Sequence, residues 1–133
     1  MIVVTGGGDG IGRECALAYA RQQATVVIMD YNLSAADRRA ADLSTPGMAS
    51  RVDVSDGAAV SSAMAAVMNR YGRIDAVHNN AGISSPAEPL HETSEEEWDR
   101  LQRNSVKSVY WIGLPYENIL TIFICWDTAL MGT

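Results

Sequence analysis

Lysine is almost missing from this chain. Of its ten basic residues nine are arginine, and Lys107 is the single lysine. Sixteen acidic residues leave a formal net charge of -6. That balance excludes nucleic acid or an anionic membrane surface as a main partner. Cysteine is scarce too: Cys15 and Cys125 stand far apart, in no zinc or redox spacing. The expected setting is therefore reduced and cytoplasmic. No basic segment followed by an apolar one opens the chain, so no signal peptide is expected. The longest apolar run, Ile119 to Trp126, is too short to span a bilayer. There is no internal repeat. With 47% hydrophobic and 20% charged residues over 133 positions, the composition is that of a folded domain with a real core.

Glycine, by contrast, is concentrated at the start. The stretch VTGGGDGIGR, from Val4 to Arg13, holds five glycines in ten positions. It lies between a short apolar run, Ile2 to Thr5, and a helix-like stretch with Ile11, Cys15, Ala18 and Tyr19 on one face. A helix N-terminus presents unpaired N–H groups and a partial positive charge. A pyrophosphate uses both, if the backbone comes close enough, and glycine permits that approach. Gly6, Gly10 and Gly12 occupy the turn in the spacing T-G-x-x-x-G-x-G.

Apolar, β-branched runs alternate with helix-like segments along the chain. Thr25–Met29, Ala49–Val54 and Ile74–His78 read as strands. Ser34–Leu43, capped by Ser34, reads as a helix, and so does Asp56–Tyr71, closed by Gly72. Thr93 and Glu96 form a capping box opening a helix through Trp98 and Leu101. Such alternation implies βαβ crossovers and a parallel sheet. The expected fold is a Rossmann-type, doubly wound α/β sheet of four strands ordered 3-2-1-4. The fourth strand's free edge is either bare or covered by Ile119–Trp126 as an extra strand. An open edge beside so uncharged a segment leads us to expect self-association.

Asp30 closes the second strand, 20 positions beyond Gly10. A carboxylate there accepts hydrogen bonds from ribose hydroxyls and repels a 2′-phosphate. At ~4 Å a unit charge pair is worth about 4 kcal/mol in a partly wet site. Asp9, inside the turn, adds to the repulsion, and no Arg follows Asp30 directly. NAD is therefore favoured over NADP. Glu95, Glu96 and Glu97 complement a helix N-terminus, and no metal site is expected. His78 reads as structural, His91 as solvated, Cys15 as buried, and Met48, Met64 and Met68 as core filler.

Taken together, Thr5–Gly12, Asp53-Val54, Asn79-Asn80-Ala81-Gly82 and Asn104 resemble the NAD-dependent common form of the short-chain dehydrogenases/reductases. The resemblance covers about residues 1–110, roughly the first half of a usual family subunit. It implies that Gly6, Gly10, Ile11 and Gly12 cradle the pyrophosphate and that Asp30 holds the adenosine ribose. It also implies that Asp53 and Val54 flank the adenine, that Asn80, Ala81 and Gly82 lie along the cofactor, and that Asn104 is the catalytic-tetrad residue supporting a bound water. The family transfers hydride between nicotinamide and an alcohol or carbonyl, using a serine and a Tyr-x-x-x-Lys pair. Neither Lys107 nor any of the five tyrosines belongs to such a pair. The chain is thus expected to divide into a cofactor-binding unit, 1–110, and a divergent hydrophobic tail, 111–133. We expect it to be inactive as written, a nucleotide-binding fragment or an interaction partner of full-length relatives. The departure after Val109 leads us to expect a frameshift, intron read-through or alternative splice there.

Overall fold

The computed structural model describes residues 1–85, 89–113 and, as backbone, 120–123. Four segments become parallel strands: β1 (Ile2–Thr5) and β2 (Val26–Asp30), both mainly apolar, and β3 (Met48–Arg51) and β4 (Ala76–Asn79), which carry polar residues; β3 ends before the expected Val54. A fifth, β5 (Leu120–Phe123), pairs in parallel with β4, Ala76 facing Leu120 and Asn79 facing Phe123. The sheet order is β3-β2-β1-β4-β5. It contains the expected 3-2-1-4 order and adds a strand from the tail on the β4 edge.

Helices cover both faces, which explains why β1 and β2 are apolar almost throughout rather than alternating. On one face Val4, Val26 and Ile28 meet Ala16 and Ala20 of α1 (Gly10–Arg21) and Ala36 of α2 (Leu33–Asp42). On the other, Val3, Val27, Met29 and Val77 pack against α3 (Gly57–Tyr71) through Val60, Met64 and Val67. Ile112 of α5 (Ser108–Gly113) completes that cluster. Each fully buried valine or isoleucine contributes about 1.5–3 kcal/mol. Met64 is fully buried, and Met48 and Met68 pack against the same cluster.

Several local expectations shift. Helix α1 does not bury the Ile11–Cys15–Ala18–Tyr19 face. Gly12, Ala16 and Ala20 are its buried residues, and Ala18 is exposed. Small residues every fourth position let the helix lie close against β1, and that closeness outweighs the larger apolar side chains. Ile11, Cys15 and Ala18 instead line an open cleft with Asp9, Gly10, Arg13 and Glu14, and Cys15 is half-buried, not buried. Helix α2 is capped by Asn32, whose Oδ1 accepts the Ala35 N–H at 3.2 Å, in place of Ser34. Helix α4 (Glu95–Gln102) is capped by Ser94, whose Oγ accepts the Glu97 N–H at 3.2 Å. Two overlapping S/T-x-x-E signals stand there, and the one nearer the helix prevails. Beyond α4 the chain widens into a π-helical turn, Arg103–Lys107, before α5. Helix α3 opens on Asp56 and closes on Gly72 at φ 73°, as its sequence predicts.

Candidate functional site

The sheet order reverses between β1 and β4, and ligands of open α/β sheets bind at the carboxyl ends of strands flanking such a point. The predicted residues collect there. Thr5 ends β1, and its Oγ1 accepts the N–H groups of Asn80 and Ala81, each at 3.1 Å. Asn80 Nδ2 donates to the carbonyls of Thr5 (3.1 Å) and Gly6 (3.0 Å). The β4 end is thereby bolted to the start of the glycine turn. The Asn80 side chain shapes the turn from behind.

Gly6 and Gly10 adopt left-handed φ of 62° and 55°, where a side chain is strained. A Cβ on Gly12 would fall inside the contact distance of the Gly6 carbonyl oxygen and of Asn80 Nδ2. The turn can close only if position 12 has no side chain. Asp9 caps α1, its Oδ1 accepting the Gly10 N–H at 2.9 Å. The next two N–H groups, of Ile11 and Gly12, find no acceptor among the described residues. A cradle with two free amides at the positive end of a helix fits a pyrophosphate.

Asp30, at the tip of β2, is half-buried and fixed. Its Oδ2 accepts the Gly8 N–H and its Oδ1 the Asn32 N–H, each at 2.9 Å. Each oxygen keeps a lone pair for a hydroxyl donor. Asp53 lies in the turn after β3, where Oδ1 accepts both the N–H (2.9 Å) and the hydroxyl (2.6 Å) of Ser55. Val54 beside it is buried. These features fit an adenosine at the β2 and β3 ends.

Asn104 lies half-buried in the π-helical turn, a form of helix found at functional positions. The segment after β4 runs beside it. A Cβ on Gly82 would stand 3.6 Å from Ser105 Oγ, and Arg100 Nη2 donates to the Ser84 carbonyl at 3.4 Å. Ser105, the residue after Asn104, is thus the part of the turn that faces Gly82. Ile11 sits half-exposed at the α1 start.

His78 points to the opposite layer. It is 1% exposed beneath α1, its Nδ1 is 3.1 Å from the Tyr19 hydroxyl, and its Nε2 has no partner among the described residues. Burial holds its pKa below the ordinary histidine value. Burial, and then the nearby Cys15, hold Tyr19 above the ordinary tyrosine value. A protonated phenol donating to Nδ1 places the imidazole proton on Nε2. Such a group is sealed from any substrate.

Sequence reasoning missed Thr5 as the bolt, Gly8, Asn32 and Ser55. Gly8 had no signal beyond being one glycine among five. No group of three or more metal-ligating side chains occurs among the described residues. No helix there is long and apolar enough to cross a membrane.

Comparison with known proteins agrees with this fold. A family model described as short chain dehydrogenase matches residues 1–114. Sorbitol dehydrogenase of Cereibacter sphaeroides is 40% identical over 99 residues, covering 74% of this chain and 38% of that protein. A 3-ketoacyl-(acyl-carrier-protein) reductase of Brucella melitensis, solved with NADH, superposes with a TM-score of 0.79 at 32% identity, covering 84% of this chain and 46% of the other. A metagenomic short-chain oxidoreductase solved with NADP gives a TM-score of 0.80 at 27% identity, covering 84% and 51%. The chain spans about two-fifths of the curated relative and about half of each solved chain.

Proposed function

This chain belongs to the short chain dehydrogenase family, and from that premise we propose that it binds NAD(H) across the β1–α1 turn. Gly6, Gly10, Ile11 and Gly12 hold the pyrophosphate, with Asp9 closing the helix start. Asp30 receives the adenosine ribose hydroxyls, Asp53 and Val54 border the adenine, and Asn80, Ala81 and Gly82 run beside the cofactor. The bound nicotinamide supplies hydride chemistry between an alcohol and a carbonyl. Asn104 supports the water through which a proton reaches that site in the complete family reaction. This chain holds no Tyr-x-x-x-Lys pair, so its 133 residues bind the dinucleotide without turnover. The cytoplasm, where NAD(H) is plentiful, is the proposed setting.

The observation that carries this is the seat itself: two free helix amides above a turn that closes only without a side chain at position 12. Calorimetric titration with NAD tests it, followed by NADH absorbance with a panel of alcohols. Saturable 1:1 binding without absorbance change is expected. No uptake of NAD sinks the binding role, and steady NADH formation sinks the inactivity.

A second reading has its own support. Trp98, Val106 and Tyr110 are 49%, 58% and 59% exposed on α4, the π-helical turn and α5. Large apolar side chains at that spacing suit pairing with a second copy or a full-length relative. Sedimentation of the chain, alone and mixed with such a relative, measures it; strictly monomeric behaviour in both removes it.

A further inference from the structure

The two edges of the sheet are finished differently. The β3 edge carries a charge: Arg51 is exposed there, its guanidinium 5.5 Å from the centre of the Tyr31 ring. A charged residue on an outer strand discourages a second strand from docking. The β5 edge has no such guard. Leu120, Thr121, Ile122 and Phe123 are all uncharged, and the neighbour of β5 in the sheet is β4 on one side. Alternate residues of a strand turn their N–H and C=O groups to opposite sides. Every second residue of β5 therefore directs its backbone polar groups away from β4, and nothing among the described residues pairs with them.

We propose that β5 docks the β5 of a second copy of this chain. The two strands pair antiparallel across a two-fold axis, giving one continuous sheet with five strands from each copy. Charge selects this occupant. An uncharged strand meets its own copy without like-charge contact, so the edge is complementary to itself. The charged β3 edge keeps a β3 of one copy from joining the β5 of the next, so the assembly closes at two copies instead of running on. In each copy β4 stands between β1 and the seam, which leaves both glycine turns open. The seam is separate from the Trp98, Val106 and Tyr110 face and independent of the NAD-binding role. A seam of one short strand pair is small, so the dimer exchanges readily, with a Kd of about 100 µM.

The test is sedimentation velocity of the whole chain from about 1 µM to about 500 µM, with residue-resolved hydrogen exchange at both ends of that range. A monomer–dimer equilibrium with no larger species is expected. In dilute chain, protection along β5 should alternate, the amides facing β4 being the slow ones. In concentrated chain the other amides should slow roughly fourfold, the ratio of total to free chain at that affinity. Thr121→Pro and Ile122→Pro complete the test, because one of two neighbouring residues turns its N–H to β4 and the other turns it outward. The outward one is expected to abolish the dimer and leave the melting temperature of dilute chain unchanged; the inward one is expected to lower it. A chain that stays monomeric at the highest concentration, or β5 exchange that does not depend on concentration, overturns the proposal. Association that survives both proline variants but disappears in Trp98→Ser/Tyr110→Ser assigns the contact to the helical face and also overturns it. Species larger than the dimer overturn the closure at two copies.

Discussion

The β1–β2 end of the sheet and the β4 end are built on opposite plans. Around the glycine turn the side chains of three residues are engaged, Thr5 with two amides, Asn80 with two carbonyls and Asp30 with two more amides, while the Ile11 and Gly12 N–H groups and Arg13 Nε are left open among the described residues. Around β4 the buried polar atoms go unmatched. Among the described residues, both side-chain polar atoms of Asn79 and Nε2 of His78 lack partners. The contrast runs through two adjacent asparagines, one tied and one orphaned. A satisfied network holds a site in shape before any ligand arrives, whereas an unsatisfied one costs stability until something meets it. The glycine turn is thus held in shape by its own side chains, and the β4 side only in part.

The sharpest way to break the contrast is at Gly12. In an ordinary helix Gly→Ala gains about 1 kcal/mol. Here the methyl collides with the Gly6 carbonyl oxygen and Asn80 Nδ2, and backbone cannot retreat as a flexible side chain can. Gly12→Ala is expected to cost about 3 kcal/mol, the upper range for overpacking, and to abolish NAD binding. Gly82→Ala is the control: its new methyl stands 3.6 Å from Ser105 Oγ, an ordinary contact, and stability should hardly change. Urea unfolding of both variants, with calorimetry, measures this; a Gly12→Ala protein as stable as wild type removes the close-packed turn.

The two asparagines then sharpen it. Asn80→Leu forfeits bonds to Thr5 and Gly6 and leaves carbonyls unmatched, at a cost of about 2 kcal/mol. Asn79→Leu discards a buried amide with no partner among the described residues and is expected to stabilise by about 1 kcal/mol. Opposite signs from one substitution at neighbouring positions are the signature of the two plans. Destabilisation by both, in thermal melts, reduces the contrast to plain packing.

The fold and the site were unequally legible in the sequence. The two inner strands β1 and β2 followed from runs such as VVIM, because a strand covered on both faces admits few other residues, and the strand order followed from the strand–helix alternation. The glycine turn and Asp30 stood out because the proposed pyrophosphate and ribose contacts demand particular residue types at particular spacings. Gly8 did not: its meaning lies in a contact 22 positions along the chain. The face of α1 was misjudged because hydrophobicity marks what prefers burial, and the close approach of a helix selects for smallness. Ser34 and Thr93 were plausible caps displaced by Asn32 and Ser94, since local signals fix a boundary only to a residue or two.

The smallest expected effect concerns His78, on the unmatched side. Its folded pKa lies below its unfolded value near 6.5, through burial. Above that value both states are neutral and its contribution to stability is complete. As pH falls below about 6.5 the unfolded chain takes a proton that the native imidazole resists, so stability declines toward the lowered folded pKa, by at most about 1.4 kcal/mol per pH unit. The Tyr19 hydroxyl faces the ring and stays protonated there, its pKa being raised. Asp75, held below the ordinary carboxylate value first by Arg73 and then by the terminal ammonium, adds its own loss only at lower pH, so the windows separate. Urea melts of wild type and His78→Leu between pH 7.5 and 5 read the difference. Wild type should lose about 1 kcal/mol more than the variant over that range. Parallel slopes would show that the imidazole gains a proton as readily inside the fold as outside, and that the β4 side tolerates unmatched polar groups better than its geometry implies.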